Sequence, residues 1–162
     1  MTNGEKTVGS IATQNIVTID ASDSLENAGK QMDKNQVSML AVTENEKIIG
    51  LLTAGDWFKS FYLHVGSHLP EYKFHSERNN QRELQSAKLE NAKKRAAEFK
   101  QMKVSNIMNR RVHVISEDAS LTKAVHEMKT SDLRRLLVTN KDGEIKGILG
   151  RTKTIIELLA EL

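Results

Sequence analysis

The feature that most constrains this chain is that it repeats itself. Moving 96 positions forward (104 − 8) carries Val8 onto Val104, Ile11 onto Ile107, Ile19 onto Ile115, Ser24-Leu25 onto Ser120-Leu121, Ala28 onto Ala124 and Met32 onto Met128. The match continues with Leu40 on Leu136 and Val42-Thr43 on Val138-Thr139. One inserted residue at Asp142-Gly143 then shifts the register, and Ile48, Gly50 and Leu52 meet Ile145, Gly147 and Leu149. The shared positions are mostly apolar and periodic, so they report a core built twice, and a repeat of this kind limits architecture more than local propensity does.

Within one copy, Ile16-Val17-Thr18-Ile19 is a short β-rich run. Asp23 with Glu26 three residues later reads as a helix start, and Leu25, Ala28 and Met32 fall on one face of the helix that follows. Residues 37–42 and 47–52 read as strands joined by the polar turn Glu44-Asn45-Glu46, and a helix follows Asp56. In the second copy Asp142-Gly143 supplies the hairpin turn, because glycine accepts the positive φ such turns need. Each unit therefore reads strand, helix, strand, strand, helix, which makes the chain an α/β protein of the α+β kind. Two units this small bury little surface alone, so they are expected to pack together about a pseudo-two-fold axis. The boundaries are 8–65 for the first repeat, 66–103 for an insert and 104–162 for the second repeat.

The insert holds the only proline, Pro70, and from Glu77 to Lys103 it contains no glycine or proline, so a long charged helix is expected there. Leu89, Ala92, Ala96 and Phe99 form a narrow stripe suited to packing on another helix, in this chain or in a partner. The basic residues Arg82, Lys88, Lys93, Lys94, Arg95, Lys100 and Lys103 are interrupted by Glu83, Glu90 and Glu98, which fits a solvated face or an anion-binding one. Every matched core position lies outside 66–103, so the insert is expected to leave the repeat cores alone and to be dispensable for ligand binding.

Composition closes off several classes. With 38% hydrophobic and 28% charged residues among 162, the balance is that of a soluble protein, and no apolar run approaches the roughly 20 residues that would span a membrane. Residues 1–7 are polar and lack an apolar signal core, which predicts a cytoplasmic protein. Cysteine is absent, which removes disulfides, thiolate metal sites and cysteine nucleophiles. A net charge of +3 and a pI near 9.1 favour anionic ligands without specifying nucleic acid.

The stretch with a specific chemical reading is Gly50-Leu51-Leu52-Thr53-Ala54-Gly55-Asp56, where a strand ends in a hydroxyl and then a carboxylate. Thr53 and Asp56 would face the space above the strand end, where open α/β layers hold ligands. The same spacing is a capping box, in which both groups satisfy free amides at a helix start. The residues alone leave both readings open.

A duplicated unit whose third strand ends in Gly-apolar-apolar-Thr-x-x-Asp resembles the cystathionine β-synthase (CBS) domain family. The resemblance implies a tandem pair of CBS repeats with clefts between them for adenosyl ligands such as AMP, ADP, ATP or S-adenosylmethionine. It implies a regulatory ligand rather than a cofactor, a homodimer, and an unidentified target protein. By that resemblance Thr53 and Asp56 hold the ribose hydroxyls. Met108, His113, Leu133, Arg134 and Arg135 complete the first cleft, with Arg135 placed for phosphate. The second copy departs from the pattern, with Gly150 and Lys153 where Thr53 and Asp56 stood, and a lysine has no acceptor for a ribose. Its cleft, shared with Thr13, Val17, Val37, Ser38 and Met39, is expected to be degenerate, with Arg151 and Lys153 either solvated or open to an anion.

Two further groups carry alternatives. Trp57 is either a core anchor or a wall for a stacked base. His64, His68 and His75 raise a metal site, but Gly66 separates the first two and no acid is spaced to complete the ligands, which favours surface histidines. No nucleophile elbow or Walker-type loop is present, so no enzyme is expected. The rival class is an adaptor without a small-molecule ligand, touching a protein or nucleic acid through the basic insert.

Overall fold

The structure, a computed structural model, describes residues 6–70 and 80–162, and of residues 80–83 the helical backbone only. In chain order the first elements are α1 (Val8–Ile11), β1 (Thr18–Asp20), α2 (Leu25–Asn35), β2 (Met39–Glu44), β3 (Lys47–Thr53), α3 (Ala54–His64) and α4 (Asn80–Gln101). They are followed by β4 (Val114–Ser116), α5 (Leu121–Thr130), β5 (Arg135–Thr139), β6 (Ile145–Gly150) and α6 (Arg151–Leu159). The same three-stranded sheet occurs twice, ordered β1-β2-β3 and β4-β5-β6. In each, the first strand runs parallel to the second and the second antiparallel to the third. The mixed α/β class and the duplicated strand, helix, strand, strand, helix order are both present.

The chain divides into two compact units, Val17–Arg110 and the residues up to Ile16 together with Arg111–Leu162. The segment that precedes each repeat's first strand thus belongs to the unit built by the other repeat. In the first unit, Ile19, Leu25, Ala28, Met32, Leu40, Val42 and Leu52 pack with Val104 and Met108. In the second, their counterparts Ile115, Leu121, Ala124, Met128, Leu136, Val138 and Leu149 pack with Val8 and Ile11.

Backbone pairing ties these leading segments to the outer edge of each third strand. Asn109 exchanges two bonds with Leu51, at 2.8 and 3.0 Å, and Thr13 exchanges two with Ile148, both at 2.9 Å. The matched glycines make this approach possible. A Cβ on Gly50 would lie 2.9 Å from the Met108 sulfur, and one on Gly147 would lie 3.0 Å from both Ala12 Cβ and the Thr13 carbonyl.

Two expectations need correction. The cap of α2 is Ser24, not Asp23: the Ser24 hydroxyl accepts from the Asn27 amide at 3.1 Å, as Ser120 does from Lys123 at 3.2 Å in α5. Helix α2 starts one residue later than the Asp23-Glu26 pair suggests, and Asp23 instead accepts from the Asn27 side chain at 3.1 Å. The insert is also not separate from the first core. Ala92 and Phe99 are buried, and Phe99, Ala96 and Met102 pack with the core of the Val17–Arg110 unit. The stripe therefore finds its partner within the chain, against α2 and α3. Only Leu89, one turn earlier, is left exposed.

Candidate functional site

Strand β3 ends at Thr53, which is also the N-cap of α3. The Thr53 hydroxyl accepts from the Asp56 amide at 3.2 Å, and the Asp56 carboxylate accepts from the Thr53 amide at 3.1 Å, a complete capping box. The same hydroxyl donates to Asp56 Oδ2 at 2.6 Å. Both bonds received by the carboxylate fall on Oδ2, so Oδ1 takes no part in the cap. Capping and ligand binding are thus compatible at this element: the cap fixes the carboxylate at the strand end, and its second oxygen is an ionised acceptor of the kind that forms the stronger, charge-assisted hydrogen bonds.

The antiparallel register sets the neighbours of this pair. Met39 lies directly opposite Thr53, and the Ser38 carbonyl accepts from the Ala54 amide at 2.9 Å. Ser38 and Met39, expected in the second cleft, are thus joined through the backbone to Ala54 and Thr53 within the first unit. Val37, half-buried, continues from α2, its amide donating to the Met32 carbonyl at 3.0 Å. The Val17 carbonyl accepts from Ala41 at 2.9 Å beside the parallel β1–β2 pair. Met108 is a core residue, 7% exposed, under Gly50.

In the other unit the equivalent register sets Arg135 opposite Gly150, and the Arg134 carbonyl accepts from the Arg151 amide at 3.0 Å. His113 is exposed, and its carbonyl accepts from Leu137 at 2.9 Å. Thr13 is exposed and bound through its backbone to Ile148. Gly150 caps α6 without a side-chain bond. Arg151 is engaged: Nε and Nη2 donate to the Leu133 carbonyl at 3.1 and 2.7 Å, and Nη2 lies 3.6 Å from Asp132 Oδ1. That guanidinium bridges the corner between α5 and β5. Lys153 is exposed at the helix start.

Trp57 is a core anchor. Its indole Nε1 donates to the Leu25 carbonyl at 2.8 Å, and its ring stacks with Phe61 at 6.2 Å and meets the Phe99 edge at 5.7 Å. Beside it a groove of about 830 Å³ runs along α2 and α3 to α4, lined by Met32, Trp57, Phe61, Ala96 and Phe99. The matching place between α5 and α6 holds a recess of only about 250 Å³, partly walled by Arg151.

His64 Nδ1 lies 2.8 Å from the Ser60 carbonyl, and His68 Nδ1 lies 3.0 Å from the Ser67 hydroxyl. His75 lies outside the described residues. Among the described residues no group of three His, Cys, Asp or Glu side chains could hold a metal ion. Among them, too, no helix is long and apolar enough to cross a membrane.

Phe99 is the residue the repeat comparison missed, because the insert has no counterpart against which to read it. Its signal was the seven-residue spacing from Ala92 on the helical stripe.

Residues 8–62 and 104–159 each match the CBS domain family. Among solved structures, the CBS-pair protein CBSX2 from Arabidopsis thaliana is 20% identical, with a TM-score of 0.63, covering 97% of this chain and 96% of its own. CBSX2 in complex with AMP is 21% identical, with a TM-score of 0.62 and 96% and 98% covered. The CBS domain pair of protein MJ0100, in complex with 5′-methylthioadenosine and S-adenosyl-L-methionine, is 16% identical, with a TM-score of 0.62 and 97% and 98% covered. No curated protein sequence matches the chain.

Proposed function

The chain belongs to the CBS domain family, with two copies of the domain, and from that premise we propose that it is a non-catalytic regulatory module that binds an adenine nucleotide or another adenosyl compound and signals to a partner protein. The observation that carries this reading is the Thr53–Asp56 pair, held at a strand end with Oδ1 of Asp56 outside the cap. That oxygen accepts from a ribose hydroxyl. Structures of similar fold in complex with AMP, and with 5′-methylthioadenosine and S-adenosyl-L-methionine, support the ligand class. Met108, His113, Leu133, Arg134 and Arg135 keep the supporting roles that the resemblance implies, Arg135 toward phosphate, and the module works in the cytoplasm. Homodimer formation is part of the same proposal, supported by the exposed Ile155, Ile156 and Leu159 on α6.

Calorimetric titration with adenosine, AMP, ATP and S-adenosylmethionine tests it. Asp56→Asn weakens binding by about 1.5 to 3 kcal/mol, the scale of a hydrogen bond to a charged group. Lys153→Asp leaves that binding unchanged. Arg135→Ala weakens AMP but not adenosine. If none of the four compounds binds, and a salt-dependent DNA shift is seen instead, the adaptor reading takes its place.

A further inference from the structure

We propose that α4 is a positioning element for the Thr53–Asp56 pair, acting through Phe99 and Trp57, so that ligand affinity at Asp56 and the seating of α4 are coupled. The inference rests on the adenosyl-binding reading of that pair.

Trp57 follows Asp56 in the first turn of α3, so the seat of the indole helps to fix where that turn, with the capped carboxylate on it, lies. Two contacts from outside α3 orient it. The indole N–H is spent on the carbonyl of Leu25, the first residue of α2, at 2.8 Å. Leu25 is held from the other side, where its amide donates to the carbonyl of Met102, just past α4, at 2.8 Å. Phe99 of α4 then sets its ring edge-on to both Trp57 and Phe61, each at 5.7 Å. Helix α2 makes room for the indole at Gly29, where a Cβ would come within 2.9 Å of Trp57 Cζ2. The chain from Met102 through Leu25 to Trp57 is continuous, and its aromatic side is closed by Phe99.

The second repeat lacks the aromatic seat and the carboxylate alike. At the position of Trp57 it has Thr154, fully buried, whose hydroxyl donates to the Gly150 carbonyl at 2.9 Å. Among the described residues, its core cluster takes none from α4. The same repeat has Lys153 in place of Asp56. Here the aromatic seat, the inserted helix and the Thr-x-x-Asp pair occur together in one repeat and are missing together from the other. Binding groups must be held to within about 0.5 Å of their working geometry, which makes the seating of α3 a determinant of affinity. Coupling of this kind is reciprocal, so a ligand on Asp56 also tightens α4.

The test uses the full chain, with AMP and S-adenosylmethionine as probes. Hydrogen exchange of the wild type with and without probe is read over residues 92–102, and slower exchange in the bound state is expected. Phe99→Ala raises the dissociation constant by about tenfold, within the ordinary range for coupled sites, Phe99→Leu recovers part of it, and Leu89→Ala on the exposed turn leaves it unchanged. Should Phe99→Ala not fold, the wild-type exchange and Phe99→Leu decide. A purely structural Phe99 would lower the melting temperature while leaving the dissociation constant and the exchange of 92–102 untouched by ligand. That result, in a protein whose binding still depends on Asp56, overturns the coupling and spares the proposed function. Absence of binding by the wild type to either probe overturns both.

Discussion

Gly50 faces Met108 so closely that a Cβ at Gly50 would lie 2.9 Å from the methionine sulfur and 3.0 Å from the Asn109 carbonyl. The thioether can give way, but the carbonyl cannot, because Asn109 is fixed by its paired bonds to Leu51. Gly50→Ala is therefore expected to destabilise the protein by about 1 to 3 kcal/mol, the usual range for overpacking. Gly147→Ala, against the Thr13 carbonyl, should cost a similar amount. Gly150, with nothing within 4 Å of its Cβ position, is the control without overpacking and should lose less than about 1 kcal/mol, the cost of replacing glycine by alanine at the cap of α6 being about a few tenths. Urea denaturation of the three variants checks the ranking.

The capping box makes its own prediction, separate from ligand binding. Thr53→Ala removes the acceptor for the Asp56 amide and the 2.6 Å bond to Oδ2, and should cost about 1 kcal/mol, as loss of an N-cap does. In the second repeat Gly150 offers no side-chain cap, so Gly150→Thr should gain a few tenths of a kcal/mol at most. Thermal melts without ligand measure both.

The insert divides at about Ala92. Leu84 and Leu89 are exposed, so a polar substitution at either leaves stability unchanged. Phe99 is 4% exposed within the first core, and Phe99→Ala should cost about 3 to 5 kcal/mol by the cavity it leaves. Trp57 is the chain's one tryptophan, so its fluorescence follows the loss of this seat directly.

These elements show how much could be read beforehand. The matched apolar positions gave both cores, since Leu25 with Leu121 and Leu52 with Leu149 must be buried alike if the copies fold alike. Phe99 was legible as part of the stripe with Ala92 and Ala96, but its partner stayed open, because a residue without a counterpart in the other copy leaves no trace in a repeat. The companionship of Met39 and Thr53 was within reach: a tight hairpin whose ends pair at Glu44 and Lys47 brings the start of one strand beside the end of the next. Gly50 admits a close neighbour, and that neighbour is the chain's own segment at Met108 and Asn109. The identity of a partner 58 residues away (108 − 50) lies in tertiary structure, not in local pattern.

Acidity should loosen the clasp between Lys6 and α6. Lys6 Nζ lies 2.7 Å from Glu157 Oε2, and its amide donates to Glu161 at 2.8 Å. The hydrogen bond from Lys6, with its charge, holds the Glu157 carboxyl below its ordinary range, and the bond to Glu157 raises the lysine. A carboxylate depressed in the folded state adds stability above its unfolded pKa and loses it as pH falls through the folded value. A lysine raised in the folded state adds stability below its unfolded value and loses it as pH rises through the folded one. The pair therefore acts between the ordinary carboxylate and lysine ranges. The stability difference between wild type and Glu157→Gln should be present at neutral pH, shrink on acidification, and fall with salt because the pair is on the surface. A difference that stays constant from neutral to strongly acid pH would show that the pair contributes nothing through charge.

The exposed apolar faces of α3 and α6 give the last prediction. Phe58 and Tyr62 on α3 are 62% and 55% exposed, and Ile155 and Leu159, their counterparts in the repeat (155 − 58 and 159 − 62 both give 97), are 43% and 64% exposed. Large side chains left in water at equivalent places in two copies are not accidents of one loop. On each helix such side chains are what the proposed second copy or target protein would cover. If that cover is a second copy, each patch must be self-complementary or match a patch on the partner, as a two-fold interface requires. Sedimentation at micromolar concentration should then give a dimer, and Leu159→Asp or Phe58→Asp should shift it toward monomer while far-ultraviolet circular dichroism stays unchanged. The substitutions sit on exposed positions, so the fold is not at stake. A wild type that is monomeric across that concentration range removes the dimer from the proposal and leaves the face to the target protein.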